Sequence, residues 1–157
     1  MTSIQQAEQG EDLELAGRLF REYADALDCA PCFKDLDLEI NGLPGEYAPP
    51  SGRLLLALYD GRSAGCVALK RLDAVSCEMK RLYVRPEFRG KGIGRALARA
   101  IIEEAGKIGY TYLRLNTLPS MKEAINLYNS LGFRGISPYG ANQMEGALYM
   151  ELALERT

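Results

Sequence analysis

The chain has 157 residues, of which 47% are hydrophobic and 25% charged, with a net charge of −2 and no histidine. That length fits one domain of the usual size of about 100–200 residues, spanning 1–157, and the composition excludes disorder and fibrous architectures. The missing histidine excludes Ser-His-Asp and Cys-His catalysis and histidine-ligated metals, while apolar runs such as Leu54 to Tyr59 fall far below the roughly 18–20 residues of a membrane span.

A first strand is expected around Ser3 to Ala7. The segment Met1 to Gly10 is polar and lacks a basic start followed by an apolar stretch, so a cytoplasmic location is expected. Leu13, Ala16, Leu19, Phe20, Tyr23 and Leu27 then recur at three- and four-residue steps, the spacing of an amphipathic helix. Cys29-Ala30-Pro31-Cys32 follows that helix. Its spacing is that of a redox pair, but such pairs open a helix after a strand, and a zinc site would need Cys66 and Cys77 as well. Reduced cysteines in a helix-to-helix turn are expected instead.

A shorter helix is predicted over Lys34 to Ile40. Asn41 to Gly52 holds three prolines and three glycines and reads as a loop, expected to serve as a substrate-side lid. Leu54 to Tyr59, the turn Asp60-Gly61, and Ala64 to Lys70 form a hairpin, and Cys77 to Val84 extends it to a meander that Arg85-Pro86 ends. Ile93, Ala96, Leu97, Ala100, Ile101, Ala105 and Ile108 mark a long helix stopped by Gly109. Tyr110 to Thr117 is a strand, Ser120 is expected to cap a helix through Leu131, and Phe133 to Ile136 and Ala147 to Leu154 complete the pattern. The order β-α-α-β-β-β-α-β-α-β-β predicts an α/β fold with one mixed sheet of about seven strands and helices on both faces.

The charges are segregated along this order. Residues 1–50 hold eleven acids and three bases, whereas residues 80–99 hold seven bases, Lys80, Arg81, Arg85, Arg89, Lys91, Arg95 and Arg99, and one acid. With a pI near 5.3, this pattern favours a small phosphate-bearing ligand over nucleic acid. Arg89-Gly90-Lys91-Gly92-Ile93-Gly94-Arg95 joins a strand to a helix, so backbone N–H groups without partners and the positive end of the helix dipole meet at a turn that glycine keeps open. The spacing is neither that of a dinucleotide fingerprint nor that of a Walker loop.

Arg89 to Gly94, preceded by Leu82-Tyr83-Val84-Arg85-Pro86, resembles the acetyl-CoA loop of the GNAT acetyltransferases. The resemblance continues through Ala124-Ile125-Asn126-Leu127-Tyr128 and Leu131-Gly132-Phe133, and the order of elements agrees over nearly the whole chain. It implies the GNAT acyl-CoA N-acyltransferase fold and transfer of an acetyl group from acetyl-CoA to a primary amine, by direct attack in a ternary complex and without a metal. It also implies a cofactor site at Leu82, Tyr83, Val84, Arg89, Gly90, Lys91, Gly92, Ile93, Gly94 and Arg95. Asn116 is expected to replace a cofactor-contacting asparagine of the family, where this chain has Met121.

Two side chains are implied in catalysis. Glu78 matches the general base of histone-type members, acting through water; as a strand carboxylate it could equally pair with Lys80 or Arg81. Tyr128 matches the tyrosine that protonates the departing thiolate; as a helix-face aromatic it also suits the core. The acidic N-terminal third suggests a cationic acceptor such as a polyamine, an aminoglycoside or a lysine side chain. No membrane or nucleic acid is expected as a partner, a homodimer is compatible with the sequence, and the alternative function is a non-catalytic acyl-CoA-binding sensor.

Overall fold

The hairpin turn at Asp60-Gly61 starts the architecture: both residues are left-handed, with φ of 50° and 80°, the geometry that matches the twist of the strands it joins. It connects β2 (Arg53–Tyr59) to β3 (Arg62–Arg71) in a computed structural model that describes residues 1–27, 29–140 and 143–154. With β1 (Thr2–Gln6), β4 (Ser76–Val84), β5 (Tyr112–Thr117), β6 (Arg134–Ile136) and β7 (Leu148–Ala153), these strands form one seven-stranded sheet in the order β1-β2-β3-β4-β5-β7-β6. Among the described residues only β4 and β5 pair in parallel, as expected for strands joined through a crossover helix, α3 (Ile93–Ile108).

The sheet is covered on both faces. Leu54 and Leu56 of β2, with Cys66, Ala68 and Tyr83, pack against Ala16, Leu19 and Phe20 of α1 (Glu11–Ala26) and Leu36 of α2 (Leu36–Asn41). Leu55, Val67, Leu69, Met79, Leu113 and Leu115 pack on the other face against Ile93, Leu97 and Ile101 of α3 and Tyr128 of α4 (Lys122–Ser130). A strand buried on both sides reads as the continuous apolar run seen at Leu54 to Leu58.

Several local expectations are corrected. Helix α4 begins at Lys122, and its N-cap is Met121 with no side-chain cap, so Ser120 does not cap it. Strand β5 begins at Tyr112, because the N–H groups of Gly109 and Tyr110 still bond to Ala105 O at the end of α3. Cys29 and Cys32 form a disulfide around the 3-10 turn Ala30–Phe33 rather than two thiols. The loop Asn41 to Gly52 contains a 3-10 turn, Gly45–Tyr47, and packs down: Tyr47 is buried in the core under α1, and Ser51 O accepts a 2.7 Å hydrogen bond from Tyr110 Oη.

The feature that shapes the site is a bulge between β3 and β4. Cys66 faces Tyr83 and Ala68 faces Lys80, so Val67 alone stands opposite Arg81 and Leu82. Arg81 takes up the extra residue with φ of 61°. Side chains change phase there: Cys77 and Met79, then Leu82 and Val84, pack on the α3 face, whereas Tyr83 turns to the α1 face.

Candidate active site

Strands β4 and β5 pair at only three positions, Ser76–Tyr112, Cys77–Leu113 and Glu78–Arg114, and then part. The parting opens a cleft of about 260 Å³ whose walls include Met79 to Leu82 of β4, Leu115 to Thr117 of β5, and Tyr128. Pro31 to Asp35 and Tyr23 line it from the α1 side. No residue of Asn41 to Gly52 lines it, so the segment around the disulfide, and not the loop expected as a lid, borders the cleft.

The glycine-rich loop runs from β4 into α3 through the 3-10 turn Pro86–Phe88. Gly90 and Gly92 are left-handed, with φ of 82° and 78°, and nothing lies within 4 Å of where a Cβ would stand on either. The first turn of α3 has no side-chain cap and no acidic residue, so its leading N–H groups and positive dipole end are available to an anion. Around it, Arg89 Nε donates to Val84 O at 3.2 Å, Arg95 Nη2 donates to Ser130 Oγ at 2.9 Å, and Lys91 Nζ stands 5.1 Å from the centre of the Tyr59 ring. An open glycine cradle on an uncapped helix fits a pyrophosphate.

The basic window divides. Arg81 Nε and Nη2 bond to the two oxygens of Glu39 at 2.9 and 2.8 Å, and Nη1 donates to Cys32 O. Burial raises the Glu39 carboxyl, but the Arg81 hydrogen bonds and charge outweigh it and hold the group below the usual carboxylate range. Arg85 holds Glu22 of α1 in the same two-pronged way, at 2.9 and 2.7 Å. These two arginines tie β4 to the helices over it and are not available to the loop. No local sequence feature marks these partners, which lie 42 and 63 residues away along the chain.

Glu78 is 6% exposed and accepts a 2.6 Å hydrogen bond from Tyr139 Oη. Its hydrogen-bond partner is therefore neither Lys80 nor Arg81, and it is not among the residues that line the cleft. Tyr139, in the β6–β7 connection, was not singled out in the sequence, because nothing local marks a loop tyrosine that reaches a strand 61 residues away. Arg114 lies under the Tyr139 ring at 5.4 Å and pairs with Glu151 at 2.8 Å.

Tyr128 and Leu82 both line the cleft, as does Asn116. Burial pushes the Tyr128 phenol well above its ordinary value, so the hydroxyl keeps its proton. Met121 also lines the cleft and its sulfur accepts from Thr117 Oγ1 at 3.6 Å. Tyr83 turns away, stacked on Tyr23 at 5.5 Å, so only its backbone faces the loop side. Among the described residues no helix is long and apolar enough to cross a membrane, and no group of three or more Cys, Asp or Glu side chains is placed to hold a metal ion.

Comparison with known proteins gives the family and the fold. The sequence model of the Acetyltransferase (GNAT) family matches residues 17–133. An uncharacterised N-acetyltransferase of Schizosaccharomyces pombe is 36% identical over 98% of this chain and 96% of its own length. A GNAT-family acetyltransferase of Staphylococcus aureus superposes with a TM-score of 0.80 at 18% identity, over 99% of this chain and 100% of that one. The PaiA N-acetyltransferase of Thermoplasma acidophilum, solved with coenzyme A, gives 0.75 at 22% identity, over 98% and 99% of the two chains. At these identities the structural likenesses establish the fold.

Proposed function

The chain belongs to the GNAT acetyltransferase family, and we propose that it transfers the acetyl group of acetyl-CoA to a primary amine of a small molecule or peptide by direct attack in a ternary complex. The observation that carries this reading is the parting of β4 from β5 immediately beside an uncapped glycine-rich helix start. The pyrophosphate is held by backbone N–H groups from Gly90 to Arg95, with Arg89, Lys91 and Arg95 around it. The pantetheine arm lies along Leu82 to Val84, where β4 has no strand partner on its β5 side. Asn116 borders the same cleft and contacts the arm.

The amine nitrogen attacks the thioester carbonyl carbon, the C–N bond forms and the C–S bond breaks. The Leu82 N–H stabilises the oxyanion. A primary amine is only about one part in a thousand neutral at pH 7, so the lost proton needs an acceptor, and Glu78, oriented by Tyr139, takes it through water. Tyr128 supplies a proton to the departing thiolate.

Thermal unfolding with acetyl-CoA, CoA, NADPH and ATP in parallel tests the ligand. Ligand at about 100 times its Kd adds roughly 2.7 kcal/mol, a shift of several degrees, expected for the first two alone. Release of thiol in an amine panel then separates an enzyme from a binder: stabilisation by CoA with no thiol released from any amine would leave a non-catalytic acyl-CoA sensor.

A further inference from the structure

Lys80 faces the cleft without a bonded counter-charge among the described residues. It stands on β4 two residues past the last position paired to β5, half-buried, and lines the cleft with Leu82, Asn116 and Tyr128. None of the ion pairs formed among the described residues involves it. The nearby anions have other partners: both Glu39 oxygens are taken by Arg81, and Glu78 accepts from Tyr139.

The charged residues lining the cleft are Lys34, Lys80 and Arg81 against Asp35 and Glu39, three cations to two anions. Arg81 and Glu39 cancel as a bonded pair, and Lys34 and Asp35 are adjacent and exposed at the rim. What remains inside is the Lys80 ammonium. Burial, followed by the neighbouring Arg81 charge, lowers its pKa from the usual lysine value, and the opposing pull of Glu78 and Glu39, both bonded to other partners, offsets only part of this.

Three of the acids of the N-terminal third that suggested a cationic acceptor are engaged elsewhere, Glu22 by Arg85, Glu39 by Arg81 and Asp37 by Arg21 at 2.6 Å, and Asp35 stands at the rim beside Lys34. We propose that the acceptor is a small amine bearing a carboxylate, an amino acid or similar amino carboxylate, and that Lys80 receives the carboxylate. This rests on the acetyltransferase reading. Two consequences of one cation favour it. A carboxylate anchored on Lys80 places its own amine in the cleft that Leu82 and Tyr128 also line, and the positive charge favours the neutral, nucleophilic form of that amine. The cleft, at about 260 Å³, must also hold the thioester end, which leaves room for a small acceptor.

The test measures thiol release from acetyl-CoA with glycine, L-alanine, L-serine, L-aspartate and β-alanine, each against its amide, and with spermidine. At least one acid is expected to exceed its amide in kcat/KM by about 10- to 100-fold, the range of one charge-assisted hydrogen bond, although the amide's amine is the less protonated of the two. Lys80→Met should bring the pair to within about threefold, mainly through KM, while Lys80→Arg keeps the preference, which a proton-accepting lysine would not allow. Amides or spermidine used as well as the acids, or a preference that survives in Lys80→Met, overturns the inference. Should no amine be acetylated, calorimetric titration of the CoA-saturated protein with N-acetylated amino acids and their amides gives the same comparison. Failure of the acids to bind while CoA binds removes the inference and leaves the acetyltransferase reading standing, whereas failure of CoA itself to bind removes both.

Discussion

Arg81 and Glu39 meet through two hydrogen bonds of 2.9 and 2.8 Å, across 42 residues of sequence, and this contact anchors the bulged part of β4 to helix α2. The guanidinium also lies 4.8 Å from the centre of the Phe33 ring, so one side chain joins the strand, the helix and the disulfide segment over the cleft. Removing one partner leaves the other charge buried. Glu39→Ala is expected to cost about 3 kcal/mol, read as a Tm lowered by roughly 6–12 °C in thermal unfolding.

The same pair sets a pH dependence. The folded Glu39 carboxyl titrates below its ordinary value of 4.5, so its stabilisation is complete above that value and is lost as the pH falls through the folded one. Denaturant titrations between pH 7 and pH 3 should therefore show a smaller acid-induced loss of stability in a Glu39→Gln variant than in the wild type. Equal slopes would mean that the pair is not formed in solution.

The glycines of the loop divide into two kinds. Gly92 is left-handed in open space, so Gly92→Ala meets no atom but strains the backbone by about 1–2 kcal/mol. Gly94 is inside α3, and an added Cβ would meet Val84 Cγ2 at 3.8 Å, an ordinary contact. Gly94→Ala is expected to be neutral or to stabilise the free protein by up to about 1 kcal/mol. Calorimetry with CoA on both variants should show weakened binding for Gly92→Ala, since the strain falls where the N–H groups converge.

Tyr128→Phe keeps the ring in its place, 5.7 Å from Phe133, and removes only the hydroxyl. A kcat lowered by about 100-fold, with KM for acetyl-CoA changed little, is expected if that hydroxyl donates to the leaving thiolate. Because its phenol stays protonated well past neutrality, the wild-type kcat should show no basic limb from this group below pH 10. An unchanged kcat would return Tyr128 to the core.

Thiol chemistry checks the cysteine assignment. Cys66 and Cys77 are free and buried, and burial raises both thiols, the second to about 12. Unreduced folded protein should therefore show no fast-reacting thiol, unreduced denatured protein two, and reduced denatured protein all four. Four thiols without a reductant would restore the reduced turn read from the sequence.

The order of elements, the hairpin at Asp60-Gly61, the two-sided sheet and the helix start after the glycine loop were legible in the sequence. Each rests on periodicity or on backbone preferences within a few residues. Gly90 and Gly92 are left-handed in the turn before α3, and Tyr128 lies on α4 at the cleft. The charges were not legible in this way. Which of seven clustered bases serves the loop, the helices or the cleft depends on partners tens of residues distant, as with Arg81 and Glu39 or Arg85 and Glu22.

What the sequence determined by itself is thus the fold and the position of the glycine-rich turn before α3, because apolar spacing and glycine conformation act locally. Tertiary structure decided the rest: that Glu78 is held by Tyr139, that Pro31 to Asp35 and not the Asn41 to Gly52 loop borders the cleft, and that Lys80 lines it while Arg81 is tied to Glu39. Electrostatic interactions act through space between groups that only folding brings together, and a list of residues does not contain their distances.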